Sequence, residues 1–304
     1  MTDTAAEARA VRVRVPAKIN LHLGVGAARP DGYHELRTVF HALDLTDEVI
    51  ARPCDELRLT ISGAESEGVP DDADNLAWRA AELLADHAGI TARVHLEIVK
   101  SIPVAGGMAG GSADAAGTLL ACAELWQLKS TRAELIELAT QIGSDVAFSL
   151  VGGTALGTGR GELLAPVLAT GTFWWALAIA DFGLATPEVY AEFDLLSARP
   201  RALTSADGVL DAVRAGDVTA LAAALSNDLQ PAALSLAPTL RRTLAAGREL
   251  GAMAAIVSGS GPTCAFLVDG QAAAVQLAAA LTADGVCRTA RVASGPAPGA
   301  RLVH

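Results

Sequence analysis

Pro103-Val104-Ala105-Gly106-Gly107-Met108-Ala109-Gly110-Gly111-Ser112-Ala113 lies between two recognisable patterns. Before it, Val94, Leu96 and Ile98 alternate with other residues and predict a strand; after it, the alanine-rich run from Ala115 to Trp126 predicts a helix. Four glycines between a strand and a helix start leave backbone N–H groups unhindered and convergent. With the positive end of a helix dipole behind it, such a concavity is a phosphate cradle. Two common glycine patterns are excluded. No Gly-x-Gly-x-x-Gly occurs, because Met108 and Ala109 fall where glycines would be needed, and no Gly-Lys-Ser/Thr follows.

Working outward, Val11, Val13 and Val15 alternate with arginines as a half-buried strand. After Pro16 a second strand predicts a polar face of Lys18, Asn20 and His22. Arg29-Pro30-Asp31-Gly32 is a turn signal. Further β-structure is expected over 36–43, 47–51 and 57–61, and Asp74 is expected to cap a helix running to about His87. Thr131 to Glu134 forms a capping box for another helix ending near Ile142, and the glycines from Gly152 to Gly161 punctuate a hairpin. The second half alternates strands (173–180, 253–257, 264–268, 287–292) with helices (from Thr186-Pro187, then 206–214, 217–229, 238–250 and 271–283). The tail from Ser294 is expected to be loose. The expectation is an α+β chain of two domains, 1–165 and 166–304.

Bulk composition limits the partners. A chain with 51% hydrophobic and 19% charged residues buries a core and is not disordered. A net charge of -11 argues against nucleic acid and anionic membranes as partners, so an anionic ligand must be held by local geometry. Cys54, Cys122, Cys264 and Cys287 form no CxxC pair, which suits a reducing compartment and argues against zinc. The first ten residues lack the apolar core of a signal peptide, and the apolar run Phe173 to Ala180 is too short to span a bilayer. A cytoplasmic protein is expected. Only three of the 23 basic residues are lysines (Lys18, Lys100 and Lys129), so each merits inspection.

The pattern Pro-x-x-x-Gly-x-x-Gly-Gly-Ser-Ala resembles the central motif of the GHMP kinase superfamily. Pro16-Ala-Lys-Ile-Asn-Leu-His-Leu23 and Val257-Ser-Gly-Ser-Gly-Pro-Thr263 stand where that superfamily carries its other two motifs. Arg29-Pro-Asp-Gly-Tyr-His-Glu-Leu36, Gly143-Ser-Asp-Val146 and the stretch Gly152–Gly161 look like the branch acting on 4-(cytidine 5'-diphospho)-2-C-methyl-D-erythritol. The likeness runs from about Val11 to Val292. It implies a two-domain α+β fold with the active site in the cleft between lobes. It implies ATP-dependent phosphorylation of that small molecule, giving the 2-phosphate, in the non-mevalonate isoprenoid precursor pathway. Two other readings stand beside it: another small-molecule kinase of the superfamily (homoserine or mevalonate type), and a non-catalytic ligand-binding member of the fold.

The resemblance implies that Pro103–Ala113 holds the ATP phosphates, with Mg²⁺ as the accompanying metal and its ligands undefined. Asp145 would receive the alcohol proton. Lys18 would orient that aspartate and lower the cost of alkoxide charge. The plainer alternatives are that Asp145 caps a helix and Lys18 is a solvated strand lysine. Asn75 and Lys100 would border adenine, or else be a helix-start Asn and an edge lysine. Ser112 reads both as an N-cap and as a phosphate or Mg²⁺ ligand. Tyr33, His34 and Tyr190 would clasp the cytosine ring, with Thr186 beside them, although Tyr190 also reads as a half-buried helix residue. Asn20 would hold the methylerythritol hydroxyls. Two departures from the superfamily pattern stand out: Ala109, which demands either negative φ or some strain, and Asp114, expected to point away from phosphate or to meet Mg²⁺ through water. The residues leave monomer and homodimer equally open.

Overall fold

The computed structural model describes residues 10–197 and 202–303; the first nine residues, on which the absence of a signal peptide was read, lie outside them. Strand β1 runs unbroken from Val11 to Ala28, and its antiparallel partner β2 from His34 to Arg52. The sequence pattern divides each into two pieces because the alternation is interrupted. The structure carries it through with register shifts, the first at Pro16/Ala17, where a residue lacking an N–H is tolerated at a bulge. Strands β3 (Arg58–Gly63) and β4 (His95–Lys100) extend the sheet beyond the second half of β2. The hairpin β5 (Thr154–Gly159) and β6 (Leu163–Val167) pairs with its first half.

Helix α1 (Leu76–Ala88) is capped by Asn75 and not by Asp74: the Asn75 side chain accepts from Ala77 N at 2.8 Å. Helix α2 (Gly110–Leu125) is buried along nearly its whole surface. Its Ala, Gly and Cys content explains how it lies so close to the sheet, since a Cβ at Gly117 would press on Val15 and Val49 at 2.7 Å. Helix α3 (Arg132–Ile142) carries the expected capping box, with both reciprocal bonds between Thr131 and Glu134. A short helix α4 (Ser144–Val151) follows immediately.

Strand β7 (Phe173–Ile179) opens a second antiparallel sheet, in the order β11-β7-β10-β9, with β9 Ala254–Val257, β10 Cys264–Val268 and β11 Thr289–Gly295. Phe173, Trp175 and Leu177 enter the core shared with the first sheet, while Ala176 and Ala178 enter a second core. Burial on both faces is the reason this strand reads as a continuous apolar run. The second core is closed by α5 (Thr186–Leu196), α8 (Gln230–Leu236), α9 (Thr239–Glu249) and α10 (Gln271–Ala283). Helices α6 (Asp207–Ala215) and α7 (Val218–Ala224) pack on the first core. The helix expected over 217–229 ends at Ala224: β8 (Ser226–Asn227) follows it and pairs with β1, and α8 starts only at Gln230.

The tail is not loose. Strand β11 continues through Ser294, and β12 (Arg301–Val303) returns to pair with Arg12–Arg14 of β1. Among the described residues, no helix is long and apolar enough to cross a membrane.

Candidate active site

The glycine segment folds as a sequence of alternating handedness. Ala105, Gly107 and Ala109 have φ of 50°, 73° and 59°, whereas Gly106 and Met108 do not enter the positive region. Such alternation turns successive N–H groups toward one concavity. The opposite, carbonyl side is tied down: Gly106 O accepts from Thr263 N (3.3 Å), Gly107 O from Ser258 Oγ (3.0 Å) and Met108 O from Lys18 N (3.2 Å). Among the described residues, the N–H groups of Gly106 to Gly111 take no protein acceptor. Gly107 is required twice, by its φ and because a Cβ there would collide with the Ser258 carbonyl. Ala109 adopts the strained alternative, and it precedes α2, which starts at Gly110. Ser112 is therefore inside the first turn and is not the N-cap.

These N–H groups open into a cavity of about 320 Å³ also lined by Lys18, Asn20, Thr38, Asp145, Arg160 and Ser260. Asp145 stands in the first turn of α4, not in a loop, and makes no cap bond there. Its carboxylate lies 3.5 Å from Lys18 Nζ. The same ammonium donates to Asn20 Oδ1 at 2.8 Å, and Asn20 donates to Thr38 Oγ1 at 2.7 Å. Lys18 is buried, while Asp145 keeps 33% of its side chain exposed toward the cleft. His22 leaves this face. The register shift after Asn20 turns its ring to Ser226 Oγ at 2.7 Å, and burial holds its imidazole below the usual range against the opposing charge of Asp228.

A second cavity of about 590 Å³ adjoins the first and shares Ser112, Asp145, Arg160, Thr186 and Tyr190 with it. His34 and Tyr190 pack with ring centroids 5.0 Å apart, and His34 Nε2 meets Asp194 Oδ1 at 2.9 Å. Burial, followed by the charge of Asp145, raises the Tyr190 phenol above its ordinary range. Tyr33 stands at the rim, 55% exposed, with the Arg160 guanidinium 4.8 Å from its ring centre. Thr186 Oγ1 contacts Ser260 Oγ at 3.0 Å, linking the start of α5 to the third glycine segment.

Two expected adenine residues are not brought to these cavities. Lys100 is buried beneath the start of α2, where its ammonium is held by Asp47 and by Asp114 Oδ2 at 2.6 Å. Burial works against its charge, but the two carboxylates outweigh it and raise its affinity for the proton. Asp114 accordingly points away from the loop. Burial, opposed by Lys100, pushes its carboxyl up to about 8. Asn75 spends its side chain on the α1 cap and on Pro70 O at 2.7 Å. The residues missed from sequence are Arg160, Ser260, Thr38 and Asp194. Arg160 had a signal, being the sole basic residue in the Gly152–Gly161 hairpin.

The chain matches the model described as the GHMP kinases N terminal domain over residues 75–153 and that of the GHMP kinases C terminal over 209–287. It is 59% identical over 295 residues to the 4-diphosphocytidyl-2-C-methyl-D-erythritol kinase of Streptomyces avermitilis, covering 96% of this chain and 99% of that one. It is 59% identical over 297 residues to the same kinase of Mycolicibacterium smegmatis, covering 96% and 92%. The chain belongs to the 4-diphosphocytidyl-2-C-methyl-D-erythritol kinase family of the GHMP kinases. A crystal structure of a 4-(cytidine 5'-diphospho)-2C-methyl-D-erythritol kinase superposes with a TM-score of 0.75 at 32% identity, covering 93% of this chain and 98% of that one. The α+β architecture is thus that of a GHMP kinase, an ATP-dependent enzyme acting on a small molecule.

Proposed function

We propose that this chain transfers the γ-phosphoryl group of ATP to a hydroxyl of 4-(cytidine 5'-diphospho)-2-C-methyl-D-erythritol, giving the 2-phosphate, in the cytoplasmic supply of isoprenoid precursors. The observation that carries this reading is one continuous cleft. A cradle of free N–H groups, the Lys18–Asp145 pair and an aromatic cavity follow one another along it. The polyphosphate of ATP suits the cradle, which offers oriented donors and the start of α2 and needs no global positive charge. The lobes are proposed as 1–165 and 166–304, with the cleft between them.

In the acceptor's place, the hydroxyl approaches Asp145, which takes its proton as the oxygen attacks the γ-phosphorus and the bond from that phosphorus to the bridging oxygen breaks, releasing ADP. Lys18 orients that carboxylate and offsets charge growing on the attacking oxygen, and Asn20, fixed by Thr38, holds neighbouring hydroxyls. Mg²⁺ fits as a metal held mostly by phosphate oxygens, because the Ser112 hydroxyl lines the same cavity as the cradle and can add an oxygen ligand. The Ser112 hydroxyl is the side-chain group that would hold it, and it would offset phosphate charge. His34 and Tyr190, with Tyr33 at the rim, are proposed to receive the cytosine ring.

Supplying ATP and Mg²⁺ with the cytidine-linked acceptor, homoserine or mevalonate tests the reading. Phosphorylation of the first acceptor at its 2-hydroxyl, seen by phosphorus NMR, is expected. Faster turnover of homoserine or mevalonate would replace this reading, and no turnover of any acceptor would favour a binding module.

A further inference from the structure

Arg160 sits at the junction of the two cavities and lines both. It occupies the turn between β5 and β6, flanked by Gly159 and Gly161 at φ of 71° and 100°. Its backbone N–H donates to Glu162 Oε2 at 2.5 Å. The turn rests against the first helix turn that carries Asp145: a Cβ at Gly161 would lie 3.6 Å from Ser144 Cβ. The guanidinium is thus presented by a fixed turn, with one flank on the Tyr33 ring. Its ion pair is loose, with Nε 3.9 Å from Glu162 Oε1 and 36% of the side chain exposed. Among the described residues lining the outer cavity, Arg160 is the one lysine or arginine, and Asp145 and Asp194 share that lining.

A ligand with its base at His34 and Tyr190 and its reacting hydroxyl at Asp145 must pass its connecting group through this junction. In a cytidine-diphosphate-linked acceptor that group carries two negative charges, which cannot lie beside Asp145 and Asp194 uncompensated. We infer that Arg160 binds the diphosphate bridge of the acceptor and so selects acceptors that carry one. A planar guanidinium offers paired donors to phosphate oxygens, and its contact with the Tyr33 ring helps to hold it at the junction. This inference rests on the reading of the acceptor given above. It adds a specificity residue that the chemistry at Asp145 does not need.

The test compares the wild type with Arg160→Met and Arg160→Lys, using CDP and cytidine as binding probes and the cytidine-linked acceptor and ATP as substrates. For Arg160→Met, CDP affinity should fall about 10- to 100-fold while cytidine affinity holds, as expected for loss of a charge-assisted pair. The Michaelis constant for the acceptor should rise by a similar factor, with that for ATP unchanged. Arg160→Lys should recover part of the loss. Unchanged CDP affinity, equal losses for CDP and cytidine, or a matching rise in the constant for ATP would each overturn the assignment. Because titration of CDP needs no turnover, a wild type that binds CDP through Arg160 yet phosphorylates no cytidine-linked acceptor would fault the proposed reaction alone.

Discussion

Lys18 reaches Asp145 from β1 while donating to Asn20 two residues along the same strand, so three polar side chains from two distant segments share one corner of the cleft. Replacing Asp145 by Asn keeps the shape and removes the proposed proton acceptor. Asp145→Asn should lower kcat by about 10²- to 10⁴-fold, with ATP affinity nearly intact. Steady-state kinetics with nucleotide titration checks it, and near-normal turnover would remove Asp145 from the chemistry. This pair was legible because its residues stand inside motifs. Lys100 and Asn75 show where that legibility stops. Motif position says nothing about which way a side chain points, and both are consumed locally, Lys100 by Asp47 and Asp114 and Asn75 by its own helix start. Thr38 and Asp194 lack any local pattern. They matter only because pairing brings Thr38 to Asn20, and packing brings Asp194 to His34.

At the scale of elements, the cradle depends on a backbone conformation that Ala109 adopts at a cost. Left-handed φ costs a non-glycine residue about 1–2 kcal/mol, whereas glycine adds about 0.4–1 kcal/mol of unfolded-state entropy to be lost on folding. Ala109→Gly should therefore leave stability unchanged or raise it by about 1 kcal/mol, as measured by urea unfolding. A loss of that size would show that the Ala109 methyl packs favourably and is not strained. The loop and its helix were readable because glycine, proline and apolar periodicity act locally. The sequence pattern breaks β1 and β2 into fragments because bulges and Pro16 interrupt a period of two. The end of α7 at Ala224, short of the expected 229, has no local signal because β8 forms only by pairing with β1, far away in sequence.

Across the whole molecule the two sheets are joined by contacts between residues distant in sequence, and these were invisible beforehand. Arg288, before β11, reaches Glu65, after β3, at 2.6 Å, and Glu65 is buried with its Oε1 unpartnered among the described residues. Arg288→Ala should cost about 1–3 kcal/mol by stranding that carboxylate. The double change with Glu65→Ala should cost less than the two single costs added, whereas simple additivity would mean the pair carries no coupling. His41 of β2 makes a second join. Its ring packs on Phe173 and Trp175 of β7, and its Nδ1 meets Thr154 Oγ1 at 2.8 Å. Its Nε2 is buried and, among the described residues, makes no well-formed hydrogen bond, with the Gly295 backbone near it. Burial, slightly opposed by the backbone at Gly295, holds this imidazole down to about 4. Unfolded, it titrates near 6.5, so between these values the unfolded chain binds the extra proton. The stability contributed by a neutral His41 is complete above that unfolded value and is lost as pH falls toward about 4. His41→Gln carries no such proton. Whatever it costs at neutral pH, its melting temperature should fall less steeply than that of the wild type across this window. Parallel curves for the two proteins would show that His41 does not set the acid stability of the joined sheets.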